Sequence, residues 1–410
     1  MASATTLAAG AAQMLPLPLP LLHPLREYDF FDLRIYRDAT HVVGSGRPLY
    51  RAHLRRGLGF TYPPFAVLAM LPLSWLSLFH AEEAVTFGNI VLVAVAAHAA
   101  VRLSPRSQGR ARAGWIAAAI ALWAEPIVST IGYGQIDLLI AALVTVDLVH
   151  GRNSRAGGIG IGLAAALKLT PLIFIPYLLF TRRGRMAGRA MATFALSIVV
   201  AFIAVPRDAG EYWGGAVFDV SRVTGRHHLS GGGPANQSLR GALLRFFPDM
   251  SHVSAIWLPC CLIVACLGLL LAVRVARRGN ESYGFLLTAI TGLLISPVSW
   301  THHWAIVVPV VLAMVMSVED RGTRWLLIAM SIEIAIASSA IWLVIDDPVG
   351  TRLSTGALLL ANLYVLAGLA VIATAAMSEV QQAVANRRSR GRARLRRQPL
   401  RVIPEGVSGP

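Results

Sequence analysis

Long apolar runs recur along almost the whole chain, and they constrain its fold more than any other feature. A helix needs roughly 20 apolar residues to cross a hydrocarbon core of about 30 Å. Runs near that length alternate here with short Arg-rich connections. The runs are continuous, whereas the strands of a membrane β-barrel alternate between apolar and polar residues. The pattern therefore predicts an all-α fold, a polytopic bundle of membrane helices.

Composition supports the same class. Of the 410 residues, 55% are hydrophobic and only 14% are charged, and the mean hydropathy is +0.60. A soluble domain carries about 25% charged residues, so much of this surface must face lipid. The apolar runs lie at about 7–25, 63–79, 84–102, 114–131, 136–150, 157–180, 190–206, 254–274, 283–299, 303–317, 324–345 and 355–376.

The positive charge of the chain predicts its topology. The net charge of +16 comes from Arg residues in short loops and in one tail, so we predict no nucleic-acid partner. Basic loops next to spans mark the cytoplasmic side. The tail 381–410 contains "RRSRGRARLRR" at Arg387–Arg397. We predict that this tail is cytoplasmic and lies on anionic lipid headgroups.

Two segments decide the number of spans. If 63–79 and 157–180 turn back within the membrane, the chain has ten spans and every Arg-rich loop is cytoplasmic. Twelve full spans would put two of these loops outside, against the positive-inside rule. Pro72, Pro171 and Pro176 lie inside these segments and favour ten spans, because Pro disrupts a helix interior.

Both topologies give the same overall organisation. Residues 1–380 form a single integral domain of the cell membrane, and both termini are cytoplasmic. Segment 26–62 and loop 207–253 then lie on the outer side. The first run is a poor helix, because "MLPLPLPLLHPL" contains four Pro.

Several polar residues fall inside apolar runs, where a charge is costly and usually functional. Lys168, in "LAAALKLTPL", is the only Lys beside 36 Arg. Its compact ammonium suits a phosphate, or it pairs with Asp137 or Glu125 inside the bundle. Gln135, in "IGYGQID", can contact a substrate or form an interhelical hydrogen bond. Glu333 lies in mid-span, where a structural role is favoured.

The stretch "SPVSWTHHWAI" at 296–306 combines hydroxyls, two Trp and the adjacent pair His302 and His303 at a predicted outer membrane edge. Either His can hold a phosphate or a hydroxyl. Adjacent residues on a helix point about 100° apart, so we expect at most one of them to face a given site. Since no regular ligand spacing is present, we predict no metal.

The outer loop 207–253 contains a Gly-rich stretch typical of a binding loop. "ANQS" places Asn236, Gln237 and Ser238 beside a Gly-Pro turn. Their amide groups and hydroxyl can bind sugar hydroxyls, and the same triplet matches the N-glycosylation pattern.

Segment 26–62 carries Asp29, Asp32 and Asp38 directly after the first apolar run. Apolar positions between 30 and 43 follow helical spacing, which predicts an amphipathic helix lying in the membrane interface. Such a helix cannot cross the membrane but can roof a cavity between spans. An Asp at its start is a helix cap by default, or one Asp faces the cavity.

Seven motifs occur in order between about 28 and 310: "FDLRIY", "GRPLY", "FTYPPFAVLAMLPL", "GQID", "LKLTPL", "NQSLRG" and "SPVSWTHHW". Together they resemble the actinobacterial GT-C glycosyltransferases of family 87, which are mannosyltransferases that use polyprenyl-phosphate mannose. The resemblance implies a GT-C helical bundle and no cofactor. It also implies a glycolipid acceptor, such as a phosphatidylinositol mannoside or a lipomannan backbone.

The resemblance also implies roles for individual residues. Asp32, in the D-L-x-x-Y motif, is the expected general base of an inverting transfer that forms an α-linkage, commonly α-1,2. The residues expected at the donor phosphate or sugar are Lys168, His302, His303, Arg34 and Gln135. The residues expected at the acceptor or sugar are Tyr62, Asn236, Gln237 and Ser238. A flippase of lipid-linked sugar, or a transferase that uses another prenyl-phosphate sugar such as arabinofuranose, is the alternative.

Overall fold

A computed structural model describes residues 28–103, 110–151, 154–219, 222, 233–247, 253–316, 340–344 and 353–396. In these ranges there is no β-strand, and the one isolated bridge joins Asn236 to Trp300. The predicted all-α membrane fold is confirmed for this part of the chain. The first apolar run, Glu333 and the end of the Arg-rich tail lie outside the described residues.

The first half consists of an amphipathic helix followed by helices of very different lengths. These are α1 (Phe31–Gly44), α2 (Pro64–Trp75), α3 (Leu78–Leu103), α4 (Arg110–Ala121), α5 (Glu125–Tyr133), α6 (Asp137–His150), α7 (Ile159–Leu167) and α8 (Phe174–Phe180).

The second half contains three of the longest helices. Its helices are α9 (Gly184–Ala204), α10 (Pro206–Gly214), α11 (Leu239–Phe246), α12 (Val253–Arg277), α13 (Glu281–Ile295), α14 (Val308–Met316), α15 (Thr355–Ala361) and α16 (Leu363–Arg396). A 3-10 helix, Thr301–Ile306, precedes α14.

Long apolar helices account for some of the predicted ten or twelve spans. Among the described residues, four helices are long and apolar enough to cross a membrane, and a fifth span is possible if α4 and α5, which meet at 70°, count as one. Other apolar runs fold into shorter helices of 10–17 residues. The count of spans therefore stays a prediction.

The run 157–180 is broken at its only charged residue. Helix α7 ends at Leu167, and Lys168 has an extended backbone with φ −153° and ψ 132°. The chain then resumes as the 3-10 helix Thr170–Ile173 and α8. Non-helical backbone is tolerated at membrane depth only where it is buried in protein or lines a cavity.

Two apolar clusters make up the core around the site. The larger one joins α3–α6 to α12–α14 and α16, and its largest buried side chains include Trp304, Tyr177 and Phe285. The smaller one packs the apolar face of α1 against α2 and Tyr212. Ile136 contacts both clusters. The predicted amphipathic helix is therefore present, and it covers the junction at which α5 passes into α6.

Candidate active site

Helix α1 is held over the α5–α6 junction by close backbone packing. Its start is fixed by a hydrogen bond from Phe30 N to Gly132 O at 3.1 Å. A Cβ at Gly132 would lie 2.4 Å from Tyr28, and a Cβ at Gly134 would lie 2.7 Å from Leu33. Gly134 also has φ +69°. The two glycines of "IGYGQID" therefore let α1 approach the residues that follow them.

Asp32 lies in the first turn of α1 and lines a cavity of ≈ 840 Å³. It does not cap the helix, because the N-cap is Phe30 and no side chain caps this end. Burial raises the pKa of Asp32 to about 7, against a hydrogen bond from Gln135 and the charge of Lys168, which lower it. A carboxyl group with this pKa can exchange a proton near neutral pH.

Gln135 is oriented by two tyrosines. Its Oε1 accepts hydrogen bonds from Tyr36 Oη at 2.6 Å and from Tyr62 Oη at 3.0 Å, and all three side chains are buried. Because the carbonyl end is occupied, the amide end is the one that donates to Asp32. Tyr36 and Gln135 therefore position the Asp32 carboxyl group.

Lys168 projects into the same cavity from the break after α7. Its Nζ donates to Asp137 Oδ1 at 2.7 Å and lies 5.9 Å from the Tyr62 ring centroid. The pairing of Lys168 with Asp137 was one of the two alternatives left open by the sequence. The structure shows this pair, and the paired ammonium also lines the cavity, where it keeps further N–H groups.

The two adjacent histidines both line this cavity, contrary to the expectation that at most one could. They lie on a 3-10 helix, Thr301–Ile306, and their ring centroids are 4.7 Å apart. His302 Nε2 is buried and has no hydrogen-bond partner among the described residues. Glu125, the other alternative partner of Lys168, instead accepts a hydrogen bond from Thr301 Oγ1 at 3.0 Å.

Asp137, His302 and His303 present ligand atoms that all lie within 4.8 Å of one another. These donors suit a divalent metal ion. However, the Lys168 ammonium already neutralises Asp137 at 2.7 Å. The absence of a metal requirement stays a prediction.

Four predicted site residues lie outside the cavity lining. Arg34 instead forms ion pairs with Asp29 at 2.8 Å and Glu82 at 3.1 Å. It faces away from Asp32 because residues two apart on a helix point to different sides. This position does not fit the predicted contact with a donor phosphate.

Asn236, Gln237 and Ser238 are completely buried and bonded to protein. Asn236 Oδ1 accepts from Ser299 N, Gln237 Nε2 donates to Ala361 O, and Ser238 caps α11. Their position differs from the predicted sugar contact, because the polar groups of the triplet fasten the outer loop to the "SPVSW" turn and to α15.

Arg222 and Tyr133 also line the cavity, and sequence reasoning did not single them out. The Arg222 guanidinium lies 5.4 Å from the Tyr50 ring centroid, and its Nε is buried without a partner in the described part of the chain. No local pattern distinguishes this Arg from the 35 others.

The rest of the cavity is mostly apolar, and Ile173, Leu269 and Ile295 line one part of it.

The fold and the cavity define a class of protein: an integral membrane protein in which a carboxyl group and an ammonium share a largely apolar cavity. The sequence model described as "Glycosyltransferase family 87" matches residues 60–297. The chain belongs to this family.

Two relatives are described as "Polyprenol-phosphate-mannose-dependent alpha-(1-2)-phosphatidylinositol mannoside mannosyltransferase". The chain is 35% identical to the Mycobacterium tuberculosis protein over 301 residues. This match covers 68% of this chain and 69% of the relative. It is 33% identical to the Mycolicibacterium smegmatis protein over 323 residues. This match covers 72% of this chain and 71% of the relative. Among solved structures, ArnT from Cupriavidus metallidurans bound to undecaprenyl phosphate aligns with a TM-score of 0.39 at 15% identity, over 91% of this chain and 77% of that one.

Proposed function

We propose that this chain transfers mannose from polyprenyl-phosphate mannose to a phosphatidylinositol mannoside or a related envelope glycolipid, forming an α-1,2 linkage. The observation that carries the proposal is the placement of Asp32 and Lys168 in one cavity with an apolar extension. The activity by which the two mycobacterial relatives are described supports the choice of donor and acceptor.

In this proposal Asp32 is the general base. Its carboxylate accepts the proton of an acceptor hydroxyl, whose oxygen attacks the anomeric carbon of mannose. The bond from that carbon to the phosphate oxygen breaks, and polyprenyl phosphate leaves with the electron pair. Attack opposite the leaving group inverts the anomeric centre, so a β-linked donor gives an α-mannoside. The transition state resembles an oxocarbenium ion.

The leaving phosphate gains negative charge in this step. Lys168 and the pair His302 and His303 line the cavity that would receive it, and donors fixed at developing charge lower the barrier. Arg222 is a further cation at the cavity. Arg34 and the Asn-Gln-Ser triplet have no role in this step, because they lie outside the lining. No proton donor to the phosphate is needed.

The cavity and the C-terminus are assigned to opposite sides of the cell membrane. The cavity roofed by α1 would open at the outer face of the cell membrane, with the C-terminus in the cytoplasm, as the positive-inside rule predicts. A prenyl chain would remain in the bilayer, and the apolar residues near Ile173 and Leu269 would cover its first isoprene units.

The test is transfer in proteoliposomes that contain the purified chain, polyprenyl-phosphate mannose labelled in the sugar, and a phosphatidylinositol mannoside. We expect a labelled glycolipid whose new mannose is released by an α-1,2-specific mannosidase. Movement of label across the bilayer without a new glycosidic bond would mean a flippase. Transfer from a prenyl-phosphate arabinofuranose donor, and not from the mannose donor, would contradict the donor assignment.

A further inference from the structure

A second cavity, which we call the basic cavity, has a volume of ≈ 1130 Å³ and shares no lining residue with the first. It lies between the turn before α9, the C-terminal end of α12 and the start of α13. Six arginines are among its described lining residues: Arg155, Arg182, Arg183, Arg185, Arg189 and Arg277.

The basic cavity lies at the end of α9 opposite to the end that contacts the roof of the Asp32 cavity. Helix α9 has 21 residues, and its N-terminus lines the basic cavity. A helix of that length is about 31 Å long. Its other end packs, through Ala201 and Val205, against Val43 of α1 and Phe65 of α2. One membrane-spanning helix therefore separates the basic cavity from the roof of the candidate active site.

The positive charge of the basic cavity is not compensated by its described lining. Glu281 is the only acidic residue there, and its Oε1 is already taken by Arg183 Nη1 and Tyr177 Oη, each at 2.8 Å. Arg183 is only 8% exposed, yet its Nη2 has no hydrogen-bond partner in the described part of the chain. A buried guanidinium with an unused donor indicates a missing acceptor.

The start of α9 adds to this positive potential. Arg183 is the residue before the helix, and no acidic residue lies in the first turn. The first backbone N–H groups of a helix have no intrahelical acceptor and favour an anion. Arg182 and Arg185 place positive charge at this helix end, where it opposes the dipole. Arg182 also has φ +62°, a strained conformation for a residue other than Gly.

We propose that the basic cavity binds the phosphate headgroup of an anionic phospholipid from the leaflet opposite the active site. Leu179 and Phe180 directly precede the arginine turn and are 49% and 58% exposed. The two helices that flank the cavity, α9 and α12, are both long and apolar enough to span the membrane. Acyl chains can therefore lie on these apolar side chains, which favours a lipid over free phosphate.

Native mass spectrometry of the purified full chain in detergent tests the proposal. Dioleoyl phosphatidylglycerol and dioleoyl phosphatidylcholine are titrated separately, and inorganic phosphate is added as competitor. We expect phosphatidylglycerol to bind at least about tenfold more tightly than phosphatidylcholine. The double variant Arg182→Gln/Arg185→Gln should lose at least about tenfold in affinity for phosphatidylglycerol, because each exposed arginine contributes to headgroup attraction.

The matched control is Arg112→Gln/Arg274→Gln, which removes two exposed arginines outside the cavity. It should retain the wild-type affinity. Equal losses in both double variants, or equal binding of the two lipids, would overturn the proposal. Displacement of phosphatidylglycerol by inorganic phosphate, together with phosphate binding that depends on Arg182 and Arg185, would show a site for free anions instead. None of these outcomes depends on the transferase activity.

Discussion

The two cavities differ in how far their positive charge is balanced by carboxyl groups. In the cavity under α1, Lys168 is paired with Asp137 at 2.7 Å, and Asp32 adds a second carboxyl group. In the basic cavity, six arginines face one glutamate that is already paired. A site that must release a phosphate gains nothing from binding it strongly in the ground state. A lipid site has no such limit, so the difference is consistent with the proposed roles of a reaction site and a lipid site.

The largest expected effect belongs to Asp32. Asp32→Asn should insert in the membrane but lose about 10²–10⁴-fold in mannose transfer, because it removes the proton acceptor. The measurement is transfer of labelled mannose by equal amounts of purified protein. The matched control is Asp38→Asn, on the same helix but 41% exposed and paired with Arg55 at 3.4 Å. Equal activity of both variants would remove Asp32 as the base.

Removal of the intramembrane cation should have the next largest effect. We expect Lys168→Met to lower kcat/KM about 10²–10³-fold, because it removes a fixed donor to the leaving phosphate. Lys168→Arg keeps the charge and should retain more activity than Lys168→Met. If both variants fold and transfer mannose at the wild-type rate, Lys168 serves only to neutralise Asp137.

A smaller effect should follow from loosening the Gln135 amide. Tyr36→Phe deletes the hydroxyl that donates to Gln135 Oε1 at 2.6 Å. We expect activity to fall about tenfold. The hydrogen bond from Gln135 lowers the pKa of Asp32, so the rising limb of the pH profile should also move to higher pH. Tyr283→Phe, outside the lining of this cavity, should change neither quantity, and an unmoved limb in Tyr36→Phe would contradict the positioning role.

The smallest expected effect is that of metal removal. Because Lys168 Nζ already pairs with Asp137 Oδ1, one of the two oxygens that would anchor a metal, transfer should be the same before and after treatment with EDTA. Loss of activity with EDTA, followed by recovery on addition of a divalent cation, would mean that Asp137, His302 and His303 bind a metal.

Periodicity and apolar runs were sufficient to predict the helical membrane class and the amphipathic roof helix. The positions of Asp32, Lys168, Gln135, Tyr62 and the His pair in one cavity followed from the family motifs rather than from spacing. Individual contacts could not be predicted, because they depend on packing between distant segments.

Two differences show the limits of local patterns. The His pair was expected to diverge as on an α-helix, but it lies on a 3-10 helix and both rings reach the cavity. The Asn-Gln-Ser triplet matched a sugar-binding pattern, but its amide groups form hydrogen bonds with the distant backbone groups Ser299 N and Ala361 O.

The pH dependence of transfer in the wild-type chain and in Asp32→Asn tests the central claim most directly. With the pKa of Asp32 raised to about 7, the carboxyl group is protonated at lower pH and cannot accept a proton. Wild-type kcat/KM should therefore rise through pH 7 to a plateau, and the residual activity of Asp32→Asn should lack this limb. The same limb in both proteins would show that another group accepts the proton.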